Sequence, residues 1–289
     1  MIKEIKNQAL THQVELLQKV IAETEKSYLR NGYVPNIIHP HSLSEKLLHK
    51  KLFHKDLNMI LLSDKLRVYE YLVKKLDKLK ADEIWIKKLV ITNNPEKIQW
   101  IKLPSDFIIK PNHASGWKQV IRNNDYDRQA LIQKSKTWLQ SYYGEKTNEW
   151  YYKEIKPQVF IEPFLLKDNG EPLLDYRFYM LNGEVGFIMV ISRGPDNELL
   201  RSNYDENWNR LDVIIGGSRS VPIPKSNNLS QMLEIAKTLS KELDFVRVDF
   251  YDLGDTIKFS ELTFFPTAGN LMLSPSSFDF ELGNKLKLL

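Results

Sequence analysis

The chain has 289 residues, enough for two or three modest lobes at roughly 100–200 residues per domain. Hydrophobic residues make up 42% and charged residues 27%, a globular balance that excludes disorder. Forty-one Lys+Arg against 37 Asp+Glu leave only +4, too little for a nucleic-acid binder, and zero cysteines exclude disulfides, thiolate metal sites and a cysteine nucleophile.

The N-terminal run MIKEIKNQALTHQ lacks the apolar core of a signal peptide. The longest apolar stretches, such as Gly186 to Ile191, fall far short of the roughly 20 residues of a membrane span. A soluble, cytoplasmic protein is expected.

The first eighty residues read as helices. Apolar Leu10, Val14, Leu17 and Ile21 recur at helical steps from Ile2 to Leu29, with Gly32 as a stop. Pro35 and Pro40 mark an extended connector. Ser42 and Glu45 have capping-box spacing and open a helix carrying Leu47, Leu48 and Leu52. Ser63 and Asp64 suggest a third helix, through Val68 and Leu72 to about Leu79.

The period then changes. Strands are expected at Phe107–Lys110, Gln119–Arg122, Gln158–Leu165 and Asp175–Leu181, with a helix from about Asp127 to Tyr143. Asn182-Gly183 signals a two-residue hairpin. Leu229 to Leu243 reads as an amphipathic helix, and Phe245–Tyr251 and Ile257–Thr263 as strands. The fold class expected is α+β: a helical N-terminal region, 1–82, then two lobes, 83–160 and 161–289.

The segment FVRVDFYDLGDTIKFSELT, Phe245 to Thr263, carries two acids inside apolar strands, Asp249 and Glu261. A three-residue Gly254-Asp255-Thr256 loop pairs 249 with 261 on one face. A two-residue Gly254-Asp255 loop puts them on opposite faces. Adjacent carboxylates repel unless a cation or shared proton separates them. Oxygen ligation through one or two carboxylates plus substrate phosphates suits Mg²⁺. Arg247 shares the face of Asp249, so the same residues also allow a plain Arg247–Glu261 salt bridge.

The segment FIIKPNHASGWKQV ends an apolar strand on Lys110, followed by the polar turn Asn112-His113-Ala114-Ser115-Gly116. An ammonium and turn N–H groups can hold a polyphosphate, with His113, Ser115 and Gly116 in reach. The G-x-x-x-x-G-K-[ST] pattern is absent, so a P-loop is excluded. His49 and His54 lie five apart, the wrong step for two zinc ligands on one helical face. The aromatic run Trp138, Tyr142, Tyr143, Trp150, Tyr151 and Tyr152 reads as packing surface.

Together these segments resemble the ATP-grasp superfamily, and more closely its TupA-like branch from bacterial surface-polysaccharide loci. The resemblance is carried, in order, by HSLSEKLLHKKLFHKD, SDKLRVYEYL, FIIKPNHASGW, VFIEPFL, DYRFYMLNGEV, FVRVDFYD and FSELTFFPTAG. It implies an ATP-grasp fold, two α+β lobes clasping ATP, preceded by the short helical region. It implies that Lys65 and Lys110 contact nucleotide phosphates, and that Glu162, with backbone at Pro163 and Leu165, reads the adenine edge. By the same resemblance Asp175 bonds the ribose hydroxyls, and Asp249 and Glu261 hold Mg²⁺. Arg247 then steadies the transferring group, and Arg177 faces phosphate or substrate.

Two positions depart from the superfamily pattern: Thr263 stands where E-x-N places an amide, and Ala114 where relatives carry Gly in N-H-G-S-G. The implied activity is a Mg-ATP-dependent carboxylate–amine ligase working through an acyl phosphate. Its implied substrates are a carboxylate such as a uronic acid and an amine such as an amino acid, decorating a capsule, lipopolysaccharide or teichuronic-type polymer. The alternatives are a phosphoryl or other transferase of such a pathway, or a non-catalytic nucleotide-binding module.

Overall fold

The computed structural model describes residues 2–167, 173–194, 196, 198–218 and 220–289. Helix α1 (Ile2–Asn31) ends at Gly32, whose φ of +74° suits a residue without Cβ. Its expected apolar stripe is not its packing face. Leu10, Val14, Leu17 and Ile21 are exposed, Leu17 at 60%, because the helix meets the fold through its last turns, where Glu23 and Ser27 are buried.

Helix α2 (Leu43–Phe53) opens on the capping box read from the sequence. The Glu45 carboxylate accepts from the Ser42 N–H, and the Ser42 hydroxyl from the Glu45 N–H. Glu45 also accepts from the N–H groups of Asn36 and His41, pinning the connector to the helix. Such a cap is worth about 1 kcal/mol.

The single helix expected from Ser63 to about Leu79 is instead three pieces, α3 (Asn58–Ser63), α4 (Val68–Leu76) and α5 (Lys78–Ile84). The Asp64 carboxylate accepts from the N–H groups of Leu66 and Arg67, forming a local turn that competes with the helix. Asp77, at φ +68°, breaks the chain again and caps α5 through Lys80 N–H.

The smaller lobe contains β1 (Val90–Thr92), β2 (Phe107–Pro111), β3 (Gln119–Ile121), α6 (Arg128–Gln140) and β4 (Val159–Pro163), while α7 (Tyr151–Glu154), between α6 and β4, packs Tyr151 and Tyr152 into the larger core. Its sheet is antiparallel, in the order β1-β4-β2-β3. Phe107, Ile109 and Ile121 pack with Leu131 and Trp138 of α6 in a core of their own. Alternation along β2 therefore turns Lys110 to the opposite face. Strand β4 crosses the expected boundary at 160, so this sheet extends to Pro163.

The larger lobe holds β5 (Leu174–Leu181), β6 (Glu184–Arg193), β7 (Leu199–Tyr204), β8 (Ile214–Ile215), α8 (Leu229–Ser240), β9 (Phe245–Asp252), β10 (Ile257–Thr263), β11 (Leu273–Ser274) and α9 (Ser276–Lys285). Its main antiparallel sheet runs β10-β9-β5-β6-β7, and Asn182-Gly183 closes the β5–β6 hairpin. Leu43, Leu47, Met59 and Leu72 of the N-terminal helices join Phe250, Phe259 and Phe264 in one core. The helical region is thus packed onto the larger lobe and has no separate core among the described residues. No helix of the described residues is long and apolar enough to cross a membrane.

Candidate active site

A cleft of about 610 Å³ is lined from both lobes and from α1. The large sheet sets its floor through two rows of side chains across three strands. Strand register aligns Arg177, Asp249 and Glu261 in one row, and Tyr179, Arg247 and Thr263 in the next. Asp175 lies two residues before Arg177 and so shares its face, opposite Tyr251.

Arg247 clamps the acids. It donates from Nε and Nη2 to Asp249 at 2.8 and 2.6 Å, and from Nη2 to Glu261 at 3.3 Å and Thr263 at 3.1 Å. Thr263 therefore serves here as a partner of Arg247. Asp249 is 2% exposed. Burial pushes its carboxyl up to about 6 against the pull of Arg247 and Arg177. Burial opposes ionisation of Glu261 too, but Lys65, at 2.7 Å, and Arg247 hold it well below the usual range.

Lys65 sits in the turn after α3, where its N–H donates to Asn112 O and ties it to the loop after β2. In that loop Ser115 and Gly116 line the cleft, Gly116 at φ +73°. Ala114 is buried and is not among the residues with positive φ, so it fits without the strain a left-handed position would impose. Lys110 also lines the cleft. The Arg177 guanidinium donates to Asp175 Oδ2 at 3.0 and 2.7 Å, leaving Asp175 Oδ1 buried without a hydrogen-bond partner.

Four expected contacts fall outside the lining of this cleft. His113 is turned into the small lobe, with ring nitrogens 3.2 Å from Asn112 Oδ1 and 3.0 Å from Trp138 O. It braces the loop from behind. Glu162 is 3% exposed, and both its oxygens are taken, Oε1 by Lys110 and Oε2 by Lys88 at 2.7 Å. Its carboxylate positions Lys110 and is not open to an adenine edge. Pro163 and Leu165 are half-buried where the chain leaves the small sheet for β5.

Lys88 is absent from the sequence reading, and nothing in IWIKKLV marks it. It is half-buried over the rings of Trp85 and Phe160, and its desolvation lowers its pKa against the pull of Glu162. Glu23, Glu149 and Asn270 also line the cleft without having been expected there.

Among the described residues no three His, Asp or Glu side chains gather into a metal cluster. Asp249 and Glu261 are the carboxylates that would hold a cation, in exchange for the contacts with Arg247 and Lys65 that occupy their oxygens here, with its remaining ligands from phosphate and water. The orphan acceptor of Asp175 and the cations Lys65, Lys110, Arg177 and Arg247 fit a polyphosphate carrying ribose hydroxyls.

The model of the TupA-like ATP-grasp family matches residues 45–287, well over half of the chain, and α1 lies before the matched region. Among solved structures, the chain is similar to the D-alanine–D-alanine ligase of Bacillus anthracis complexed with ATP, at 15% identity and TM-score 0.41 over 71% of this chain and 56% of that one. Likeness to the D-alanine–D-alanine ligase of Helicobacter pylori is 18% identity and TM-score 0.42, over 78% and 62% of the two chains. For a RimK domain ATP-grasp protein of Sphaerobacter thermophilus the values are 9% and 0.39, over 71% and 59%. The chain spans less than two thirds of each of these structures. No curated protein matches it. The chain belongs to the TupA-like ATP-grasp family, and its two antiparallel lobes form the ATP-grasp fold.

Proposed function

We propose that the chain binds Mg-ATP in this cleft and joins a carboxylate to an amine through an acyl phosphate. The observation that carries the reading is the row Arg177–Asp249–Glu261 lying in one cleft with Lys65 and Lys110. Lys65, Lys110 and the N–H groups at Ser115 and Gly116 bind the phosphates, and Asp175 Oδ1 accepts from a ribose hydroxyl. Glu162 holds Lys110 in place, with Pro163 and Leu165 in the segment where the adenine end lies. Asp249 and Glu261 would hold Mg²⁺, which supplies positive charge against the phosphates when bound.

The carboxylate substrate attacks the γ-phosphorus and ADP leaves. The amine, as the free base, then attacks the acyl carbon, and the C–N bond forms as the C–O bond to phosphate breaks, the departing phosphate taking up the amine proton. Arg247 stabilises the oxyanion, Arg177 orients the transferring group, and catalysis is chiefly positioning and electrostatics. The small lobe (83–163) closes on the larger one to keep water from the acyl phosphate. The substrate pair proposed, by family resemblance, is a uronic acid and an amino acid of a surface-polysaccharide pathway in the cytoplasm.

ADP release should be measured with uronic acids crossed against amino acids, and with each partner alone plus hydroxylamine. Ligase chemistry predicts ADP and amide only with both partners, and a hydroxamate with carboxylate plus hydroxylamine. Release of ADP with a phosphorylated alcohol as product would instead establish phosphoryl transfer. No ADP release with any pair would contradict an enzyme of either kind acting on these substrates.

A further inference from the structure

The side of the cleft formed by α1 has a different character from the nucleotide side. It is built from Glu23, Lys26 and Arg30 of α1, from Lys146, Thr147 and Glu149, and from the turn after β10. These pieces are tied together. Asn148 Nδ2 donates to Glu23 Oε1 at 2.7 Å, and Lys26 Nζ donates to Lys146 O at 3.1 Å. Buried Lys51 lies 3.0 Å from Glu23 Oε2 and donates to Ala268 O at 2.6 Å. Thr267, Ala268 and Gly269 are all left-handed there, at φ 53°, 55° and 90°.

Beside the cations Lys26, Arg30 and Lys146, this wall presents buried acceptors. Glu149 is 3% exposed, and its Oε1 accepts from Tyr151 at 2.8 Å. Among the described residues no lysine or arginine is in ion-pair contact with it, although a buried carboxylate without a cation is costly. Burial raises its pKa against the pull of Thr147, Tyr151 and Lys51. Asn270 is also 3% exposed, and its Oδ1 has no hydrogen-bond partner. Two buried acceptors, the Glu149 carboxylate and Asn270 Oδ1, thus line this side of the cleft beside its cations.

The group that completes such a wall is a cation bearing several N–H donors. Tyr143 and Tyr152 line the same cleft as Glu149 and Glu261, so this wall and the reaction centre share one cavity. We infer that this side of the cleft is the subsite for the amine substrate, an amino acid whose ammonium is received by Glu149. Lys26, Arg30 and Lys146 at the rim receive its acidic group. The inference rests on the ligase reading above, and Glu149 is assigned to binding only.

The test is calorimetric titration of wild-type protein with each of the twenty common amino acids and with their N-acetyl counterparts. Titrations are made with and without saturating Mg-ADP, and Mg-ADP affinity is measured separately. Glu149→Gln keeps an acceptor for Tyr151, so the fold should hold, and circular dichroism checks it. The expected result is that at least one free amino acid binds and its N-acetyl form does not. Glu149→Gln should weaken the free amino acid at least tenfold and leave Mg-ADP affinity within twofold. Arg30→Gln should weaken it less. Binding of no amino acid under either condition overturns the inference, as do equal binding of N-acetyl forms or unchanged affinity in Glu149→Gln. Absence of Mg-ADP binding to wild type is a separate result, which removes the ATP reading while the nucleotide-free titration still decides the amine subsite.

Discussion

Asp249 and Glu261 face each other because Ser260 is bulged out of β10. The turn between β9 and β10 is centred on Gly254-Asp255, with Ile257 opposite Asp252 and Leu253 N–H donating to Thr256 O. Continued without interruption, that register would place Ser260 opposite Asp249. The shift between Phe259 and Glu261 moves the strand on by one residue and brings the second acid across. Arg247 then bridges both acids.

Arg247→Met should make magnesium a larger stabiliser than it is in the wild type. The substitution leaves Asp249 buried, with Arg177 as nearest cation at 3.8 Å. Metal-free protein should lose about 3 kcal/mol. Thermal denaturation with and without millimolar Mg²⁺ checks this, and an equal magnesium shift in both proteins would speak against the acids as its site.

Glu162→Gln should destabilise by about 2–3 kcal/mol, since it leaves the half-buried Lys88 and Lys110 around a neutral amide. Burial opposes ionisation of Glu162, yet Lys110 and Lys88 hold its pKa below the ordinary value. Its contribution is therefore present above about pH 4.5 and is lost as pH falls through the lower folded pKa. Urea titrations of both proteins should show a gap that is constant near neutrality and narrows in acid.

His113 acts in the same direction at higher pH. Burial lowers its pKa from 6.5, against the pull of the Trp138 carbonyl. The unfolded chain takes up the proton first, so stability is lost as pH drops from about 6.5 towards the folded value. His113→Gln keeps a donor for Trp138 O and should flatten this slope in urea titrations between pH 7 and pH 5. An unchanged slope would assign the loss to other groups.

Gly283→Ala should be disruptive although the glycine is helical with an ordinary φ. A Cβ there would lie 2.0 Å from His41 O and 2.6 Å from Ser42 C, where α9 crosses the start of α2. Both obstacles are backbone, so the helices must separate, at a cost of about 1–3 kcal/mol. A melting temperature equal to wild type would contradict this crossing.

Much of this was legible because local rules were not overridden. The Ser42–Glu45 box, the Asn182-Gly183 hairpin and the strands carrying Lys110 and Arg247 follow from spacing and turn chemistry. Asp249 and Glu261 were legible as a pair, but the bulge that aligns them was not, because a bulge answers to packing on both sides of the strand. The helix expected from Ser63 failed because Asp64 bonds its own following backbone. The partners of Glu162 and the inward turn of His113 depend on long-range packing, which single-residue spacing does not encode. Lys88 and Glu149 carry no local signal, and each gains its role only when distant segments close around it.

The most direct test of the central claim is calorimetric binding of a non-hydrolysable ATP analogue, with Mg²⁺ and with EDTA. The proteins compared are the wild type and the Asp249→Asn/Glu261→Gln double variant. The account predicts tight, magnesium-dependent binding to the wild type, and at least a tenfold loss of the magnesium-dependent part in the variant with its EDTA affinity little changed. Equal magnesium-dependent affinity in the two proteins, or no nucleotide binding to a folded wild type, would contradict it.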